Sequence, residues 1–255
     1  TLFPYTTLFR STLELEGVSQ AYEGVSVLSG VTVSLKGYAR IGVVGTSGSG
    51  KSTLLRLLAG LEDPAAGAFV LDGRDTLTTL RYESWEEQVA YIPQDPTIFH
   101  ASLRENLTFY NPQASDEHLH AVIEKLGLSE LLVQLPQGLD TLIGEGARGL
   151  SGGQAQRIAL ARVVLDERKR IILFDEPTAH LDIETEMELK QAMVEVMQER
   201  LVVFATHRLH WLDTLDYLLV LEEGKLVEQG TTTQLLESTT HFATLVRALC
   251  GGEAA

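Results

Sequence analysis

Apolar and polar residues alternate from Thr12 to Tyr22 and again from Val31 to Lys36, the period of two that marks half-buried strands. Ile41–Val44 differs: it is a short continuous apolar run, the pattern of a buried central strand. Similar runs recur at Phe69–Leu71, Ile171–Phe174, Val202–Ala205 and Tyr217–Leu221. Between them the period lengthens. Leu119, Val122, Ile123 and Leu126 fall at i, i+3, i+4 and i+7, one core-facing stripe of a helix that starts near Ser115. Residues 94–166 are expected to be mostly helical with no clear strand, and 231–249 to form a helical tail. Strands alternating with helices predict an α/β fold, a largely parallel sheet flanked by helices, with 94–166 as a helical insertion.

Composition narrows the class. The chain has 255 residues, 44% of them hydrophobic, enough for one large α/β domain or two small ones. Its longest apolar runs, such as Leu201–Ala205, fall far short of the ~18 residues needed to cross a bilayer. A net charge of −15 argues against nucleic acid as a partner, because phosphate contacts need Lys and Arg. The single cysteine, Cys250, excludes an internal disulfide and is read as an idle thiol. Residues 1–11, TLFPYTTLFRS, lack both an initiating Met and the apolar run of a secretory signal. They match, letter for letter, the in-frame translation of a common sequencing adapter. The domain is therefore expected to begin at Thr12, with 1–11 making no packing contact that it requires.

Three motifs carry chemistry. GTSGSGKS, Gly45–Ser52, lies between the Ile41–Val44 run and the apolar Leu54–Leu58 and fits G-x-x-x-x-G-K-[ST]. Glycines let the backbone curl so that successive N–H groups face phosphate oxygens, and the following helix presents its positive end there. Lys51 would reach the β- and γ-phosphates and Ser52 would ligate Mg²⁺, with Gly45, Ser47, Gly48, Ser49, Gly50 and Thr53 completing the ATP-binding loop. RIILFDEP, Arg170–Pro177, is a strand ending in two carboxylates: Asp175 for Mg²⁺, Glu176 to polarise the attacking water. LSGGQ, Leu150–Gln154, opens a helical stretch and is a second anion-binding element. One nucleotide does not need two cradles, and a head-to-tail dimer resolves the excess. Taken alone, Ser-Gly-Gly fits a plain helix N-cap equally well.

These motifs, with Gln94, TAHLD (Thr178–Asp182) and His207, follow the order and rough spacing of the ATP-binding cassette (ABC) ATPases, which the chain resembles from Thr12 to about Arg247. The resemblance implies a P-loop NTPase core with a small antiparallel β subdomain and an inserted helical subdomain. In that frame 12–93 and 167–255 are catalytic core and 94–166 the helical subdomain. It implies that Tyr22 stacks on adenine, that Gln94 links the nucleotide to the helical insertion and senses Mg²⁺, and that His207 contacts the γ-phosphate beside Glu176. Ser151, Gly152, Gly153 and Gln154 would act on the partner's nucleotide, and Asp182 would communicate across the dimer. Where many exporters read Ser-Ala-Leu-Asp, this chain has Ala179-His180-Leu181-Asp182, and His180 is taken as surface filler.

Gly144-Glu145-Gly146 and PQDPTIFHASLRENL resemble exporter cassettes, which implies transmembrane domains as partners, a second cassette, and a place on the cytoplasmic face of the plasma membrane. TAHLDIETE, ATHRLHW and EEGKLVEQGT resemble the first subunits of heterodimeric cysteine/glutathione exporters. The alternatives are an importer's unfused ATPase subunit and a soluble, non-transport ABC ATPase. Against the second, no coiled-coil insertion separates the phosphate loop from LSGGQ, and only one cassette is present.

Overall fold

A computed structural model describes residues 9–144, 149–237, 242–244 and 246. Along the chain run β1 (Thr12–Tyr22), β2 (Val25–Lys36), β3 (Arg40–Val44), α1 (Lys51–Leu58), β4 (Ala66–Leu71), β5 (Asp75–Leu77), α2 (Glu83–Glu86) and β6 (Val89–Ile92). Next come β7 (Ala101–Ser102), α3 (Leu103–Leu107), α4 (Asp116–Lys125), α5 (Ser129–Gln134), β8 (Leu142–Ile143), α6 (Gly152–Val164) and β9 (Ile171–Asp175). Last are α7 (Ile183–Val196), β10 (Leu201–Ala205), β11 (Tyr217–Glu222), β12 (Lys225–Gly230) and α8 (Thr232–Leu236). The chain divides into two compact units, the second made of Ile92–Lys169 and Pro177–Gln198.

The first unit holds two sheets. One is four-stranded in the order β2-β1-β4-β5, and β1 pairs antiparallel with both of its neighbours. The other has the order β12-β11-β3-β10-β9-β6. Within it β3, β10, β9 and β11 run parallel, with Val203 opposite both Ile41 and Leu173. Because neighbouring parallel strands end at the same edge, the residues after β3, β9 and β10 arrive together there. The period-two pattern is realised: Leu13, Leu15 and Val18 of β1 and Val31, Val33 and Leu35 of β2 are buried in one cluster with Leu54, Leu55, Leu57 and Leu58 of α1. Trp85 is fully buried beneath α1, its indole Nε1 donating to Leu58 O at 2.9 Å.

In the second unit α4 begins where the apolar stripe places it. Ser115 is its N-cap, accepting from His118 N, and Leu119, Val122 and Ile123 are buried. Arg162 of α6 is also buried, its guanidinium donating to Asn106 O at 2.8 Å and Asn106 Oδ1 at 3.0 Å. It lies over the rings of Phe99 and Phe109. These neutral acceptors and aromatic faces stand in for a counter-ion.

Three expectations need revision. The helical stretch is not strand-free: Ala101 pairs with Ile143 and Ser102 with Leu142, a two-residue ladder too short to leave a period. The second unit also takes in α7, because α6 packs on it and Arg157 pairs with Glu188 at 3.1 Å, whereas the sequence placed all of 167–255 with the core. The helical tail is described only in part, as α8 and 242–244; Cys250 and the rest lie outside the described residues.

The third revision concerns the N-terminus. Residues 1–8 lie outside the described residues, but Phe9 is 5% exposed and belongs to the first unit's core. Its N–H donates to Gln88 Oε1 at 2.9 Å, and the N–H groups of Arg10, Ser11 and Thr12 all donate to the Asp72 carboxylate. Whatever supplied those letters, an aromatic ring that can reach an apolar core is driven to bury. Burial opposes ionisation of Asp72, yet these donors outweigh it and hold its carboxyl below the usual range. The stabilisation from Asp72 is therefore full above about pH 4 and is lost as pH falls through its lowered native value. Removing residues 1–11 is expected to cost about 2 kcal/mol relative to removing 1–8, the worth of one buried aromatic ring. Urea unfolding of the two truncated chains at pH 7 measures it, and equal midpoints would show that Phe9 packs without consequence.

Candidate nucleotide site

The loop after β3 turns on Gly50, whose φ of 102° lies in the left-handed region. A side chain there would meet Val27 O at 2.9 Å and Leu28 Cδ2 at 2.7 Å, so only glycine fits. The turn starts α1 at Lys51. The Lys51 side chain is 5% exposed and folds back over the loop, its Nζ donating to Gly45 O at 3.0 Å and Thr46 O at 3.1 Å. Ser47 and Gly48 are exposed on the loop, while Ser49 and Thr53 are buried beneath it.

The end of β9 meets this loop with two carboxylates. Asp175 is 7% exposed and is held from both sides, by Ser52 Oγ donating to Oδ1 and by Tyr91 OH donating to Oδ2, each at 2.8 Å. Burial, and then the nearby Asp175 charge, push the Tyr91 phenol far above its ordinary range, so it stays a neutral donor. Glu176 leaves the strand with φ 49°, a left-handed conformation uncommon outside glycine, and its N–H is satisfied by Ala205 O at 3.0 Å. That turn carries its carboxylate away from Asp175: Oε1 pairs with Lys51 Nζ at 3.3 Å and Oε2 accepts from His207 Nδ1 at 3.1 Å. His207 follows β10 by two residues. Tyr22, at the end of β1 and 37% exposed, is tethered through its hydroxyl to Glu62, and it accepts from Arg56 Nη2 at 3.3 Å.

Ser52 Oγ and Asp175 Oδ1 offer adjacent oxygen donors, the type a hard cation such as Mg²⁺ takes. No group of three His, Cys, Asp or Glu suited to a metal occurs among the described residues. A cation here would complete its shell with phosphate oxygens and water, so the residues fit a metal that arrives with a nucleotide.

The second unit carries the remaining candidates. Ser151 is the N-cap of α6 in a reciprocal capping box: Gln154 N donates to Ser151 Oγ at 3.2 Å, and Ser151 N donates to Gln154 Oε1 at 3.0 Å. The N-cap and the anion-site readings of LSGGQ thus describe one object, since capping sets the first turn. A side chain on Gly153 would lie 2.6 Å from Thr185 Cγ2, so that glycine lets α6 approach α7. Asp182 caps α7: its Oδ1 accepts from Thr185 N at 2.9 Å and Oδ2 from Thr185 Oγ1 at 2.8 Å. Those donors, the N–H first, lower its pKa. Gln94 donates through Nε2 to His180 Nε2 at 2.8 Å. Glu145 and Gly146 lie outside the described residues.

Sequence reasoning missed Tyr91, Glu62 and Arg56, whose contacts in the first unit join elements far apart in the chain. Only Tyr91 carries a signal, a hydroxyl set within the apolar VAYI of β6.

The family model described as ABC transporter matches residues 28–179. The chain belongs to the ABC transporter family. As a member it is an ATP-binding cassette, with the fold, ATP binding and ATPase activity expected of one. The cassette is 46% identical over 249 residues to the "Glutathione/L-cysteine transport system ATP-binding/permease protein CydC" of Bacillus subtilis (strain 168), covering 95% of this chain and 44% of that protein. It is 38% identical over 227 residues to the human "Iron-sulfur clusters transporter ABCB7, mitochondrial", covering 89% of this chain and 30% of that one. Among solved structures it superposes on a bacterial Atm1-family ABC exporter with ATP bound, with a TM-score of 0.85 and 30% identity over 97% of this chain and 43% of the other. The cassette spans less than half the length of these relatives. Among the described residues no helix is long and apolar enough to cross a membrane.

Tyr91→Phe should leave the fold intact but remove one of the two donors that fix Asp175. The loss expected is about 1 kcal/mol of stability and roughly fivefold in ATP turnover. Urea unfolding and steady-state phosphate release measure the two, and unchanged turnover would show that Asp175 needs no support from Tyr91.

Proposed function

We propose that this cassette is the ATP-driven motor of an exporter, closing head-to-tail on a second cassette when ATP binds and reopening after hydrolysis. The observation that carries the reading is the Glu176 carboxylate, set between Lys51 and His207 beside the phosphate loop. An entering γ-phosphate would draw on Lys51 and leave Glu176, still oriented by His207, to polarise the attacking water. Ser52 and Asp175 would hold a Mg²⁺ that arrives with the nucleotide, and the ion would supply positive charge to the phosphate oxygens. Lys51 and the N–H groups of the loop neutralise the remaining charge, and Tyr22 stacks on the adenine.

The second half of each site would come from the partner cassette. Ser151 Oγ accepts one hydrogen bond within the capping box and keeps its own O–H to donate. Together with the first N–H groups of α6, at Gly152 and Gly153, it suits a γ-phosphate. Asp182 would report closure between the two sites. The relatives are named as transporters, one of them an ATP-binding/permease protein, and the cassette covers under half of them, which supports transmembrane partners; a position at the cytoplasmic face of the plasma membrane is part of the same proposal. The likeness to CydC, together with the phrases at 178–186 and 222–231, supports cysteine or glutathione as cargo.

Glu176→Gln should keep ATP affinity within about threefold of the parent and slow hydrolysis by about 10²-fold or more. Ser151→Arg should also be inactive on its own. Mixing the two inactive chains should restore turnover, because the mixed dimer then holds one site with both an intact Glu176 and an intact Ser151. Phosphate release from the mixture reports it. No recovery, with mixed dimers shown to form, would mean that Ser151 serves the site of its own chain.

A further inference from the structure

Tyr22 sits at a tight turn, paired with Val25 across Glu23 and Gly24, and both turn residues have left-handed φ. A ring at the tip of a hairpin would swing freely if only its backbone were fixed. Here the hydroxyl is held as well. Its proton goes to Glu62 Oε2, because a carboxylate only accepts, and its lone pair accepts from Arg56 Nη2 at 3.3 Å. Arg56 Nε lies 2.9 Å from Glu62 Oε1, so guanidinium, carboxylate and phenol close a cycle of three side chains. Glu62 is fixed in turn. Gln20 of β1, 8% exposed, donates from Nε2 to Asp63 O at 3.1 Å and to Glu62 Oε2 at 3.4 Å, and its Oε1 accepts from Ala65 N at 3.1 Å.

The tether reaches the helix that starts at the phosphate loop. Arg56 is on α1, five residues after Lys51 and about 7.5 Å further along the axis. A base and its phosphates belong to one molecule, so an aromatic face serves the base only at a set separation from the groups that hold the phosphates. Fixing the Tyr22 hydroxyl to α1 and to the loop after it sets that separation before a nucleotide arrives, which leaves less order to impose on binding. The ring is 37% exposed and is held by its hydroxyl end, not by a face. We propose that Glu62, braced by Arg56, is a positioning residue that keeps the Tyr22 ring in place for the base of ATP. The proposal rests on the reading of Tyr22 as the residue that stacks on adenine.

The test separates the base from the phosphates. Affinities for ATP and for tripolyphosphate, which has no base, are measured by calorimetry with Mg²⁺ on the full chain, and their ratio reports what the base contributes. Tyr22→Phe keeps the ring and loses the tether. The ratio should fall about three- to tenfold, the worth of a hydrogen bond open to solvent, while affinity for tripolyphosphate stays unchanged. Glu62→Ala should show a similar fall, and the double variant of the two should fall no further. Glu62→Gln should recover most of the ratio, because its carbonyl can accept from the Tyr22 hydroxyl. Tyr22→Ala, which removes the ring itself, should fall furthest. A ratio lowered by Tyr22→Ala but unmoved by Tyr22→Phe or by Glu62→Ala overturns the proposal and leaves the stacking reading standing. A ratio unmoved by Tyr22→Ala sinks that reading and the proposal with it. Losses shared equally by tripolyphosphate, additive losses in the double variant, or equal losses in Glu62→Ala and Glu62→Gln also overturn it.

Discussion

One buried ammonium group holds the nucleotide site together. Lys51 Nζ ties the start of the phosphate loop, through Gly45 O and Thr46 O, to Glu176 at the end of β9. Burying an ammonium group is costly unless it is paired and hydrogen-bonded, and these contacts supply both. The fold supplies them because β10 lies between β3 and β9 and all three are parallel, so their following residues share one edge. Gly50 in the left-handed region starts α1 at Lys51, and a left-handed Glu176 aims its carboxylate toward the loop. Both are strained or restricted conformations, kept where the chemistry is.

The second unit uses the same local device twice. Ser151 caps α6 and Asp182 caps α7, so residues expected to act on a partner's nucleotide first define where their own helices begin. Gly153 lets α6 pack closely against α7, which fixes the two caps relative to one another. A residue that positions a helix end and then offers it to a ligand serves stability and recognition through one geometry. Substitutions at these positions change both.

What the sequence revealed were features that impose a local pattern. The continuous apolar runs of β3, β9 and β10 are strands buried on both faces, and the phosphate loop is legible because its backbone tolerates so few residues. The stripe at Leu119–Leu126 is a helix capped where Ser115 predicts. The β7–β8 ladder is two residues long, and β12 is too polar to alternate cleanly. Tyr91 with Asp175 and Gln94 with His180 are pairs more than 80 residues apart, set by topology rather than by any window of sequence. Phe9 shows a different limit. Foreign-looking letters argued for a segment outside the fold, but burial depends on what a side chain is and where the chain places it.

The most direct measurement is ATP affinity in the parent chain and in Lys51→Ala, by calorimetry with Mg²⁺ at pH 7. Losing a buried, charge-assisted contact to the β- and γ-phosphates should weaken binding on the order of 100-fold. Affinities within twofold of each other would contradict the account, because the group on which the site is built would then not touch the nucleotide.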